Sequence, residues 1–189
     1  GDVMTRGYEI VDRAATAGHL ADELTRVCFG DQPAGETLRL LADRDPQTLR
    51  DLVGPELDGL PCRIVVNPFY EQGITSSLKA GVAALPEDIQ ATVVMLADMP
   101  FVTAEMISGL IARYRSTEAP LVISDYEGVN APPMLYDRSL FGELLAMTEE
   151  GCGRQVVKRH RHEAKVLAWP AAALADLDVP EDYARVKGD

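Results

Sequence analysis

Apolar residues along this chain recur in two rhythms. Apolar positions three and four apart predict helices, and short unbroken apolar runs predict strands. "YEIVDRAATAG" (8–18) predicts a helix closed by Gly18. "LTRVCFG" (24–30) predicts a strand, and "ETLRLLAD" and "PQTLRDLVGPEL" predict two helical pieces parted at Asp45-Pro46. A strand is expected over "CRIVVN" (62–67), then a helix over "SSLKAGVAAL" (76–85) capped by Thr75 or Ser76. "TVVMLA" (92–97) is apolar without alternation, the pattern of a strand covered on both faces. Thr103 should cap a helix with Met106, Ile107, Leu110, Ile111 and Tyr114 on one face. Strands are expected at "PLVIS" (120–124), "PMLY" (133–136) and "KVLAW" (165–169). Further helices are expected at "SLFGELLAM" (139–147) and from Pro180 onward. This alternation argues for one three-layer, Rossmann-like α/β domain over residues 1–189 with a mostly parallel sheet.

Composition narrows the function classes. A net charge of −12 would repel a phosphate backbone, so nucleic acid is not an expected partner. No apolar run reaches the ~18 residues that would span a bilayer, and the N-terminus lacks a signal-peptide core. A cytoplasmic protein is expected. Cys28, Cys62 and Cys152 are scattered, a pattern of reduced thiols rather than a disulfide framework or zinc site. The one basic stretch, "VKRHRHEAK" (157–165), reads as the solvated end of a helix, with His160 and His162 at the surface.

Candidate chemistry gathers at strand ends. "TVVMLADMPF" runs an apolar strand into Asp98, and ligands of open α/β sheets bind beyond the carboxyl ends of the strands. A carboxylate there suits Mg²⁺, which takes one or two carboxylates plus substrate phosphates; a local cap or ion pair is the plainer alternative. In "DLDVPED" (176–182), Asp176 and Asp178 alternate along the chain, so one of them can complete a metal site with Asp98. Glu181 and Asp182 fit the acid-rich start of a helix. "NPFYEQGITSSLKAG" (67–81) carries Asn67 at a strand end, then Gly73 and the hydroxyls of Ser76 and Ser77 at a helix start, a natural place for an anionic or polar ligand. In "EEGCGRQVV" (149–157), Gly151 and Gly153 precede a helix bearing Arg154 and Lys158.

These pieces, in this order, resemble the MobA-like nucleotidyltransferases, the group that includes the molybdenum-cofactor cytidylyl- and guanylyltransferases. The resemblance covers about residues 62–186, and "LADMP" is its most specific part. "NPFYEQGITSSLKAG", "VVMLADMPFVT" and "DLDVPEDY" look like the family's N-P-x4-G-x3-S-L-x-x-G, L-x-D-M-P-x-V-T and D-x-D-T-P-E-D segments, with Val179 in the place of the last one's Thr. "YEGVNAPPMLYDRSLFGELL" is similar to its G-x4-P stretch and following helix. The resemblance implies transfer of a nucleoside monophosphate from an NTP, CTP or GTP, to a phosphorylated small molecule such as molybdopterin, with pyrophosphate released. A molybdoenzyme is an implied partner. Asp98 and Asp178 would hold Mg²⁺. Asn67, Gly73, Ser76 and Ser77 would face the nucleotide, and Gly128, Asn130, Pro133, Gly151 and Gly153 the acceptor.

The family opens with a strand and a glycine-rich loop, approximately L-A-A-G-x-S-x-R-M-G-x-x-K, that holds the triphosphate. This chain shows no such loop, and "GDVMTRGYEIVDRAATAG" looks like the helix that follows it. The chain starts with Gly, and a first strand and loop of roughly 30 residues is expected to be missing. Triphosphate charge would then fall to Mg²⁺ and to Lys79, Arg154 or Lys158. Asn130-Ala131-Pro132 stands where many relatives carry Arg-Gly-His, and Glu149-Glu150 where they carry Gly-Asp. The alternative is a catalytically silent ligand-binding or regulatory module of the same fold. An aspartate-nucleophile phosphohydrolase would need "DLDVP" early in the chain rather than near its end.

Overall fold

The computed structural model describes residues 65–69, 72–96, 99, 101–148 and 153–175. The expected elements at 8–18, 24–30 and over 30–60, the last helix, His19 and all three cysteines lie outside these residues. In chain order the described elements are α1 (Ile74–Ala83), β1 (Ala91–Val94), α2 (Ala104–Thr117), β2 (Leu121–Tyr126), β3 (Val129–Asn130), β4 (Met134–Asp137), α3 (Phe141–Ala146), α4 (Arg154–His160) and β5 (Lys165–Trp169). Short 3-10 turns cover Arg138–Leu140 and Ala171–Leu174.

Strand β2 is the centre of the sheet. It pairs with β4 and β3 antiparallel, and with β5 parallel from Val122↔Lys165 to Tyr126↔Trp169. β4 pairs antiparallel with β1 over Ala91↔Asp137 to Val94↔Met134. The expectation of a mostly parallel sheet is therefore corrected: among the described residues three of the four pairings are antiparallel. The reason lies in connection length. The helical crossovers do leave β1, β2 and β5 pointing the same way. The link from β2 to β3 is two residues, Glu127 and Gly128, far too short for the crossover a parallel neighbour needs. β4 then slots between β1 and β2, running against both.

Both faces of the sheet are covered. Leu121 and Ile123 of β2 pack with Val82 of α1, Leu144 of α3 and Val156 of α4. On the opposite face, Val122 packs with Leu110 of α2, while Tyr126 packs with Met106 and Ile107. The α2 stripe holds as expected: Met106, Ile107 and Leu110 are buried, Ile111 and Tyr114 pack at its margin, and Thr103 accepts from the Met106 N–H. Three boundaries differ from expectation. Residues 65–67 are not in a strand, and β1 stops at Val94. Helix α1 begins at Ile74 with Gly73 as its N-cap, so Thr75 and Ser76 lie in its first turn and neither caps it.

Two polar ties, one buried and one at the margin of the core, close the fold. Ser124 is fully buried; its hydroxyl donates to the Pro133 carbonyl (2.6 Å) and accepts from Trp169 Nε1 (2.9 Å). At the far end of β4, the Tyr114 hydroxyl and the Ser139 N–H and hydroxyl converge on the Asp137 carboxylate. Burial pushes Asp137 up, but the hydrogen bonds from Ser139, Tyr114 and the Arg138 backbone outweigh it and hold its carboxyl below the usual value of 3.8. Burial and the same partner raise the Tyr114 phenol to about 12.

Ser124→Ala should destabilise the protein by about 1–3 kcal/mol in urea unfolding, because it strands a buried carbonyl and a half-buried indole N–H. Because the Asp137 carboxyl titrates lower when folded, its contribution is present above the usual carboxylate value and is lost as pH falls through the folded one. Tyr114→Phe should therefore be less stable than the parent near neutral pH, and that gap should narrow in unfolding curves below about pH 4.

Candidate functional site

The segment from Asn67 to Ser77 is built by hydrogen bonds onto the start of α1. Asn67 Nδ2 donates to the hydroxyls of Ser76 (2.7 Å) and Ser77 (3.0 Å), while its Oδ1 accepts from the Phe69 N–H (3.0 Å). The Ser76 hydroxyl faces the carbonyls of Phe69 and Gly73, each at 2.8 Å. It is thus consumed in shaping the loop. Ser77 is exposed and keeps its hydroxyl hydrogen for another partner. Gly73 sits at φ 87°, a region where a Cβ is strained, and it turns the chain into the helix. Among the described residues no side chain caps α1, and no acid lies in its first turn; α2, by contrast, has both the Thr103 cap and Glu105. The positive end of the α1 dipole favours a negative group there. Between α1 and β1 lies a cavity of about 400 Å³, lined by Ile74, Ser77, Leu78 and Gly81 on one side and Thr92 to Leu96 on the other.

The second group lies past the end of β2. Glu127 and Gly128 both take positive φ (52° and 97°), the two-residue turn that matches the twist of a hairpin. Asp125 accepts from the Gly128 N–H (2.9 Å) and from Asn130 Nδ2 (2.7 Å), and Asn130 Oδ1 accepts from Arg161 (2.6 Å). Both ends of the Asn130 amide are thus engaged. Pro133 is fully buried, and the Tyr126 hydroxyl donates to Pro132 (2.8 Å). Burial lifts that phenol to about 12, with the Ser124 hydroxyl pulling weakly the other way.

The third group surrounds the start of α4. Gly153 is its N-cap at φ 86°, and a Cβ there would stand 2.8 Å from the Tyr136 hydroxyl oxygen. Glycine is required on both counts. Arg154 and Lys158 are exposed on α4, one turn apart. The expectation of two surface histidines is met by His162; His160 is half-buried, with Nε2 2.7 Å from Glu143, whose other oxygen pairs with Arg159. The Lys79 ammonium donates to the Met147 carbonyl (2.6 Å).

Asp98, Gly151 and Asp178 lie outside the described residues. Among the described residues no group of three His, Cys, Asp or Glu side chains is placed to hold a metal ion. No described helix is long and apolar enough to cross a membrane. Asp125 and Arg161 escaped the sequence reading. An acid two residues before a turn, in "SDYEGVN", was the available signal for the first; nothing local marks Arg161 as the partner of Asn130, because 31 residues separate them.

Gly153→Ala should cost about 1–3 kcal/mol in chemical denaturation, from strain and close approach together. Adding Tyr136→Phe should recover part of that loss, since the atom nearest the new methyl is removed; additive losses in the double-mutant cycle would exclude the clash.

Comparison with solved structures gives two mycobacterial neighbours. One is the homologue of Mycobacterium tuberculosis Rv0371c from Mycobacterium sp. strain JC1, 26% identical with a TM-score of 0.51, covering 58% of this chain and 55% of that one. The other is Rv0371c from M. tuberculosis H37Rv, 25% identical with a TM-score of 0.52, covering 59% of this chain and 58% of that one. This chain thus spans little more than half the length of those neighbours. They share with it a mixed α/β sheet flanked by helices. No curated protein sequence matches the chain. The profile of the MobA-like NTP transferase domain matches residues 30–164, well over half of the 189 residues, and the chain belongs to that family.

Proposed function

We propose that this protein is a Mg²⁺-dependent nucleotidyltransferase acting from CTP or GTP on a phosphorylated small molecule such as molybdopterin. The observation that carries the reading is the start of α1. Among the described residues its N-terminus has no side-chain cap and no acid in the first turn, it is framed by Asn67, Gly73, Ser76 and Ser77, and it falls within the family match. That arrangement offers backbone N–H groups and a positive dipole to a nucleotide.

A phosphate oxygen of the acceptor attacks the α-phosphorus in line. The new P–O bond forms as the bond from the α-phosphorus to its bridging oxygen breaks, and pyrophosphate leaves with that electron pair. No covalent nucleophile is needed; positioning and neutralisation of charge are enough. Asp98 and Asp178 would hold the divalent ion, which when bound offsets phosphate charge. Ser77, at the lip of the cavity beside β1, would meet the base or sugar, with Ser76 and Asn67 fixing its approach. Arg154, with Lys158 one turn on, would meet acceptor phosphate beside Gly151 and Gly153. Asp125 would hold Gly128 and Asn130 toward the acceptor, with Pro133 setting the backbone beneath. A molybdoenzyme would receive the product, and the reaction is placed in the cytoplasm.

Calorimetry with CTP, GTP and ATP in the presence of Mg²⁺ tests the reading, with pyrophosphate release as the second measurement. Asp98→Asn should weaken Mg²⁺-dependent nucleotide binding by roughly two orders of magnitude, while the melting temperature stays nearly unchanged. Equal Mg²⁺-dependent affinity in mutant and parent would remove the metal role. Binding without turnover would leave a ligand-holding module.

A further inference from the structure

Lys79 sits in the middle of α1, the helix whose start carries the nucleotide segment. Its ammonium does not stand free: it crosses to the Met147 carbonyl, 68 residues on, at 2.6 Å. Met147 is the C-cap of α3, where the last carbonyls lack helical partners and a cation is favoured. The helices touch beneath this bond, since Leu78 and Val82 of α1 share one apolar cluster with Leu144 and Met147. The chain that leaves Met147 returns at Gly153, pinned against Tyr136 by the absence of a Cβ. Farther back, Arg159 and His160 of α4 hold Glu143 of α3.

We propose that Lys79 is a positioning residue that ties the end of α3, at Met147, to the helix that presents the nucleotide side. Its charge acts on the Met147 carbonyl and, through it, on acceptor placement, rather than on the triphosphate. The functional half of this inference rests on the nucleotidyl-transfer reading; the structural half does not.

The test uses the full chain in three forms: parent, Lys79→Met, which keeps the apolar stem, and Lys79→Arg, which keeps a donor. Hydrogen exchange at Met147 and Thr148 should rise roughly tenfold in Lys79→Met, with the amides of β2 and β4 unchanged, and Lys79→Arg should restore much of the protection. In turnover with molybdopterin, Lys79→Met should raise the acceptor KM roughly tenfold and leave the KM for Mg²⁺-bound nucleotide within about twofold. Unchanged exchange at Met147 and Thr148 overturns the tie. A roughly tenfold rise in nucleotide KM with the acceptor KM unmoved overturns the positioning role, because Lys79 would then be touching phosphate. If the parent turns over neither CTP nor GTP, the nucleotidyl-transfer reading falls, and the exchange comparison alone decides whether Lys79 holds Met147.

Discussion

The structure depends on the burial of β2 on both faces and its pairing along both edges. Leu121, Val122 and Ile123 are completely excluded from solvent, with α1, α3 and α4 packed over one face and α2 over the other. Removing three such side chains from water contributes on the order of 1.5–3 kcal/mol each. Every backbone polar group of a strand buried in this way must find a partner in the sheet. That need recruits β4, β3 and β5 and sets the register that brings Tyr126 level with Trp169.

Once the sheet is set, the loops beside it are shaped by polar ties rather than by apolar packing. Ser124 joins β2 to Pro133 and Trp169, so the chain before β4 and the end of β5 are anchored to one hydroxyl. Asp125, the next residue, holds the Gly128 turn and Asn130. Lys79 joins α1 to the end of α3, and Gly153 lets α4 start directly on Tyr136. Loops held at defined points on the sheet would suit the proposed nucleotidyl transfer, a reaction whose catalysis is mostly placement and charge neutralisation.

The side chains that were most suggestive in the sequence take different parts in three dimensions. Ser76 turns inward to two carbonyls of its own loop, whereas Ser77 faces the cavity beside β1. Asn130 is held between an acid and a cation. Pro133 is buried and can act on a ligand only through the backbone it shapes. Two neighbouring hydroxyls look equivalent in a string of letters, but the α-helix turns successive residues about 100° apart and sends them to different surroundings.

The sequence by itself determined the elements between residues 74 and 169 other than β3, the Thr103 cap, the apolar stripe of α2, the coverage of both sheet faces and the family, because these follow from local periodicity, capping chemistry and short motifs. β5 was legible to the residue, at Lys165–Trp169. Only the tertiary structure decided that β4 enters against β1 and β2, that residues 65–67 are not in a strand, and that Gly73 rather than a hydroxyl starts α1. It also decided the pairings of Lys79 with Met147, Arg161 with Asn130, and Trp169 with Ser124. These join residues 31 to 68 positions apart, and no local pattern encodes which distant carbonyl or hydroxyl a donor will reach once the core has closed.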